Sequence, residues 1–199
     1  MSPFSKLTLL LPFLAVGIRG LEAPIPGYRV EDITWAVEYA PGKNTTLTGT
    51  VQQVYAQLLD MNPQYEAQFG TIEHNATAVE DEDEDVTTRS KREHTICNPF
   101  PRAPCNRINE GISYLTRVNG RPTNGPGPGN CGRVSCSWSS AIWWCNDNRR
   151  THTLSSFRDI ANAAKVAVKD CRNLDKGCQV SGQRFLDDNW NVIVRGQKC

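Results

Sequence analysis

Cys131-Gly132-Arg133-Val134-Ser135-Cys136-Ser137-Trp138-Ser139-Ser140-Ala141-Ile142-Trp143-Trp144-Cys145-Asn146-Asp147 is the stretch whose reading decides the fold. Residues 133–137 and 141–147 read as strands joined by a tight turn at Ser139-Ser140, because β-branched and aromatic residues favour a pleated, half-buried surface. Successive side chains of a strand point to opposite faces. The unbroken run Ile142-Trp143-Trp144 therefore requires a sheet with both faces covered, or one face covered and the other bound. Trp138, beside the turn, is the tryptophan most suited to an exposed contact.

Working outward, a helix is expected after Ser155 or Ser156, either of which can cap it. Its apolar stripe is Phe157, Ile160, Ala161, Ala164, Val168 and Cys171, with Arg158, Lys165, Lys169 and Arg172 on the outer face. Ile108, Ile112, Leu115 and Val118 mark a second helix, which Asn119-Gly120 would cap. His94–Cys97, 179–185 and 190–195 read as further strands. Pro122 and the run Gly125-Pro126-Gly127-Pro128-Gly129 make 121–130 a loop. The order predicts an α+β fold: a small disulfide-stapled two-layer sandwich, an antiparallel sheet with two helices on one face, preceded by a pro-region.

All eight cysteines follow Lys91-Arg92: Cys97, Cys105, Cys131, Cys136, Cys145, Cys171, Cys178 and Cys199. The even count argues for four disulfides, and 105 connectivities are open. Cys131, Cys136 and Cys145 lack the C-x2-C rhythm of a zinc site, so neither metal nor cofactor is expected. Charge divides at the same place. Residues 93–199 carry fifteen Lys/Arg against eight Asp/Glu, a net of +7, while residues 1–92 net −6. Four segments follow: a signal peptide over 1–20, a pro-region over 21–79, an acidic linker over 80–92 and a mature cysteine-rich domain over 93–199. The apolar run at 7–18 is too short for the ~20 residues of a membrane span, which points to a signal sequence and no stable membrane insertion. In the pro-region, Ile33, Trp35, Val37 and Tyr39 alternate as in a strand. Val51, Val54, Tyr55, Leu58 and Leu59 recur at helical spacing. Asn44 and Asn75 begin glycosylation sequons. The acidic run at 80–85 is a solvated linker, proposed to mask the basic domain until a kexin-type processing protease cuts at Lys91 and Arg92.

The block Gly111-Ile112-x-Tyr114-Leu115, Pro126-Gly127, Cys131-Gly132-Arg133-Val134-Ser135-Cys136-Ser137, Ser140-Ala141-Ile142-Trp143-Trp144-Cys145-Asn146-Asp147-Asn148, Ile160-Ala161, Ser181-Gly182-Gln183 and Trp190-Asn191-Val192-Ile193-Val194-Arg195 resembles a family of small secreted cysteine-rich proteins of filamentous ascomycete fungi. The resemblance spans nearly all of 97–199. It implies a candidate effector, with Cys105 and Cys178 as a pair added to six family cysteines and bonded to each other. A fold-level likeness to the α/β sandwiches of kexin-processed fungal killer toxins is weaker.

No serine elbow, HExxH, phosphate-cradling glycine loop or Rossmann fingerprint is present. A ribonuclease would need His94 or His152 with Glu110 for acid–base work, and Arg133, Arg149 or Arg150 on the phosphate. A surface histidine beside Arg149-Arg150 more simply solvates a loop. The reading is therefore a secreted, apoplastic virulence effector. It is expected to act as a monomer on a host extracellular protein, with a papain-like defence protease as the target, and without nucleic acid. The alternatives are a killer-toxin-like membrane or growth disruptor and a small ribonuclease. Contact residues are expected among Trp138, Arg149, Arg150 and His152, with 120–130 and 146–153 as rigid inhibitory loops.

Overall fold

The computed structural model describes residues 21–69, 93–175 and 177–199. The signal sequence, Asn75, the acidic run and Lys91-Arg92 lie outside the described residues. In chain order the elements are β1 (Arg29–Val30), β2 (Thr34–Ala40), β3 (Lys43–Thr48), α1 (Val51–Met61), α2 (Tyr65–Phe69), β4 (His94–Cys97), β5 (Ala103–Pro104), α3 (Cys105–Arg117), β6 (Gly120–Asn124), β7 (Asn130–Ser137), β8 (Ser140–Asn146), β9 (His152–Thr153), α4 (Phe157–Cys171), β10 (Gln179–Val180), β11 (Gly182–Leu186) and β12 (Trp190–Gly196).

A six-stranded sheet in the order β1-β7-β8-β12-β11-β4 forms the centre, antiparallel except for the short β1–β7 edge. Every residue of β8 is buried. Ile142 and Trp144 face α3 and α4, while Ala141, Trp143 and Cys145 face the other way. This is the α+β arrangement expected, with both helices on one face. Ser156 caps α4: its hydroxyl accepts from the Arg158 amide, and Asp159 reaches back to the Ser156 amide. The capped helix lays the expected stripe, Phe157 to Cys171, on the sheet.

Four disulfides brace the layers: Cys97–Cys171, Cys105–Cys178, Cys131–Cys145 and Cys136–Cys199. The first ties the β4 edge strand to the end of α4. The third joins residues directly opposite on β7 and β8.

Two local expectations are corrected. Residues 120–124 are strand rather than loop, because β6 pairs with β2 through Trp35↔Pro122 and Val37↔Gly120, and with β9 on its other side. Pro122 is tolerated there because its carbonyl accepts from the Leu154 amide, which puts its missing N–H on the side away from β2 and past the two residues paired with β9. Helix α3 ends at Val118 in an extended conformation rather than at a left-handed Gly120 cap. Gly120 has φ +145°, and a methyl group on it would lie under 3.0 Å from the Ala36 carbonyl. Its glycine serves the strand crossing, not the helix end.

The strand and helix expected within 24–79 are present, but they form no core of their own. Trp35 is fully buried and stacks on Phe157 of α4, with centroids 4.6 Å apart. Val51, Val54, Tyr55, Leu58 and Tyr65 belong to the same cluster as Ile108, Trp144 and Val192. On the opposite face, Ile25, Tyr28, Val30 and Phe100 cover Trp143 and Ile193. Asn44 lies exposed on β3, the outer strand of the four-stranded sheet β3-β2-β6-β9.

Candidate functional site

The β7–β8 hairpin closes through the pair Ser137↔Ser140, which leaves Trp138 and Ser139 as a two-residue turn. The turn thus falls one residue earlier than the sequence suggested, and the shift puts Trp138 at the tip. Both turn residues have positive φ, 47° and 56°. That is the geometry of a tight hairpin turn that asparagine and glycine usually fill. A tryptophan held there costs roughly 1–2 kcal/mol of backbone strain. The indole is 70% exposed, the most exposed large hydrophobic side chain among the described residues.

The tip is held from several sides. Cys136, one residue before the closing pair, is bonded to Cys199. The Gln197 amide donates to the Ser139 carbonyl at 3.0 Å, and the Ser140 hydroxyl donates to the Trp138 carbonyl at 3.3 Å. Gln52 of α1 donates to the Ser135 hydroxyl and accepts from the Cys136 amide. The Arg107 guanidinium lies over the Trp138 ring at 4.8 Å and also pairs with Glu110 at 3.2 Å. An exposed indole with a cation beneath it and a fixed backbone has the character that protein interfaces favour.

The other proposed contact residues are elsewhere. Arg149 and Arg150 are exposed beyond the opposite end of β8, a strand of seven residues, so roughly 23 Å of sheet separates them from Trp138. There the two loops expected as inhibitory segments are knitted together. The Gly127 amide donates to the Asn148 carbonyl at 2.6 Å, and the Asn146 amide side chain donates to the carbonyls of Gly125 and Arg150, both at 2.8 Å. These bonds tie the two loops to each other.

His152 is a packing residue of this far end. Its ring meets Trp144 and Trp190 at centroid distances of 6.1 and 6.2 Å. Burial pushes its pKa below the ordinary value near 6.5, against an opposing pull from Asp188. Because protonation then favours the unfolded chain, the stability His152 contributes is present above about pH 6.5 and is lost as pH falls toward the depressed folded value. Melting temperature measured from pH 7.5 to 5 should fall more for the native protein than for His152→Phe, which cannot titrate.

His94 stacks on Phe185, which alternation places on the opposite sheet face from Trp190 and His152. Glu110 lies on α3 beside Arg107. Arg133 projects from β7, its guanidinium pKa lowered by burial and supported by Asp32. Of the residues named for acid–base work on RNA, His152 thus shares an end with Arg149 and Arg150, while Glu110 lies with Arg107 at the Trp138 end and His94 on the opposite sheet face. Sequence reasoning missed Arg107 and Gln197. Arg107 carried only an ordinary helix-surface signal, an i,i+3 partner in Glu110, since its place under Trp138 depends on the packing of α3 against the hairpin.

Fold and site together define a class: a small, disulfide-rich α+β protein with an exposed tryptophan presented on a braced hairpin. Four disulfides are typical of extracellular proteins, and no helix among the described residues is long and apolar enough to cross a membrane. Comparisons with protein-family models, curated proteins and solved structures find no match.

Proposed function

We propose that this is a secreted fungal virulence effector that binds a host extracellular protein through its hairpin tip, with Trp138 at the centre of the contact. The observation that carries the reading is the 70% exposure of Trp138 on a turn held in an unfavourable backbone conformation. The hairpin turn demands positive φ, but a tryptophan in place of asparagine or glycine has a backbone cost there. An exposed side chain kept at that cost points to a functional use. The target class we assign is a papain-like defence protease. A narrow, disulfide-anchored hairpin loses little conformational entropy on entering a cleft, which favours tight inhibition. The tip takes the place of 120–130 and 146–153 as the favoured inhibitory segment, since those loops bind each other.

Trp138→Gly separates binding from folding. Glycine relieves the positive-φ strain at about the same magnitude as the lost cation–aromatic contact, roughly 1 kcal/mol each, so the melting temperature should stay within ~3 °C. Affinity for the captured host protease should fall about 30-fold or more, as for a central aromatic anchor. The measurement is capture from host extracellular fluid followed by inhibition assays against papain-like proteases. If Trp138→Gly binds normally while the charge-reversed Arg149→Glu/Arg150→Glu chain does not, the contact lies at the wrong end of the sheet and the proposal fails.

A further inference from the structure

We infer that residues 21–69 are a permanent, non-covalently held part of the working protein. If the chain is cut after Arg92, the two pieces stay together, and a separated 93–199 is an incomplete fold. The inference uses the dibasic cleavage reading but not the proposed target.

No covalent link is on offer, since all eight cysteines lie after residue 92 and pair among themselves. The association must therefore come from the interface, and the interface is built as an interior. Residues 25–30 lie on the outer face of the central sheet, where β1 adds to the edge of β7. Residues 33–69 lie on the helix side, where β2 adds to β6 and α1 packs on α3. The segment thus wraps around one edge of the sheet and covers both faces. Removing it would uncover Phe157 on one face and Trp143 on the other, both with no exposure in the whole molecule. It would also bare the pairing edges of β6 and β7, groups that need partners.

Polar contacts fix its register. The Arg29 guanidinium donates to the Pro126 carbonyl at 2.6 Å, the Asn130 side chain donates to Glu31 at 2.6 Å, and Arg195 donates to the Pro24 carbonyl at 2.9 Å.

The glycines of the second half carry the imprint of the first. A methyl group on Gly120 would strike Ala36 and Val37, on Gly125 it would strike Glu31, and on Gly132 it would strike Ile33 and Glu31. Gly129 sits against the Tyr28 ring. At each of these four sites, every nearest neighbour comes from residues 28–37, so the absent side chains make room for that segment. Gly120 and Gly129 also have positive φ, which favours glycine by itself, but Gly125 and Gly132 do not, and a domain meant to work alone would have no such use for the gaps at those two positions.

The test starts from the purified full chain, cut in vitro with a kexin-type protease and checked by intact mass. The two fragments should co-elute on size exclusion at micromolar concentration and appear as one complex by native mass spectrometry, parting only in denaturant. In the cut protein, Gly132→Val should weaken the association about 10- to 100-fold, the cost of one overpacked interior site, since the three atoms nearest an added Cβ all belong to Glu31 and Ile33. A freely eluting 93–199 with a native-like thermal transition overturns the inference. If the protease does not cut after Arg92, the cleavage reading fails separately. Co-expression of 21–79 and 93–199 as two chains in an oxidising host then decides the matter, since failure to co-purify overturns the inference by itself.

Discussion

Trp35→Ala should destabilise the uncut protein by about 3–5 kcal/mol, as loss of a buried aromatic does. The expected fall in melting temperature is about 10 °C for a chain of this size. The indole has no exposure, stacks on Phe157 at an interplanar angle of 17°, and donates its Nε1–H to the Gly49 carbonyl at 2.8 Å. Truncation opens a cavity between β2 and α4, and α4 is the largest apolar contributor to the helix face of the sheet. Trp35→Phe keeps the stacking and loses the hydrogen bond, so about 1–2 kcal/mol is expected for that variant. Circular dichroism with both near- and far-ultraviolet detection is the measurement. A single transition displaced in both signals shows that residue 35 and α4 unfold together. An unmoved transition of α4 would mean that residues 21–69 are an appendage.

That result bears on what could be read from the residues alone. The stripe Phe157 to Cys171 and the hairpin 133–147 were legible, because an amphipathic helix and an alternating strand carry their burial pattern locally. Strand β6 was not. Its Pro122 and flanking glycines signal a loop, and its reason for being extended is β2, some eighty residues earlier in the chain. The coincidence of cysteine onset, charge reversal and a dibasic pair marked a boundary in composition, yet the hydrophobic core runs across it through Ile33, Trp35 and Val51. Composition reports on chemistry, whereas the partner of a buried tryptophan is set by topology.

The candidate site shows the same division. Trp138 was legible as the tryptophan near the turn, and its exposure follows from that position. The one-residue shift of the turn, the cation beneath the ring and the Cys136–Cys199 brace all depend on which distant segments converge on the tip. Arg149, Arg150 and His152 look adjacent to Trp138 in sequence, but an extended strand lies between, and extension carries neighbours apart faster than any other backbone geometry.

Removing both Cys97–Cys171 and Cys105–Cys178 should cost more than twice as much as removing either one. Their sequence separations are 74 and 73 residues, and the loops overlap almost completely. While Cys105–Cys178 is intact, residues 97 and 171 are already joined by a path of only about fifteen residues, through 97–105 and 171–178. On the chain-entropy account, breaking the first bridge therefore releases the entropy of a short loop, about 3 kcal/mol. Breaking the second releases that of a loop of about fifty residues, the path through 105–136 and 178–199 that the Cys136–Cys199 bridge keeps closed, about 4 kcal/mol. The paired alanine variants of either bridge should fold, with urea midpoints lowered by similar amounts. The quadruple variant, at a combined cost of about 7 kcal/mol, approaches the whole stability of an ordinary domain and should be largely unfolded at 37 °C. If the two losses instead simply add, the bridges act through local packing, Cys97 at the β4 edge and Cys105 at the start of α3. Either bridge alone holds nearly the same loop closed.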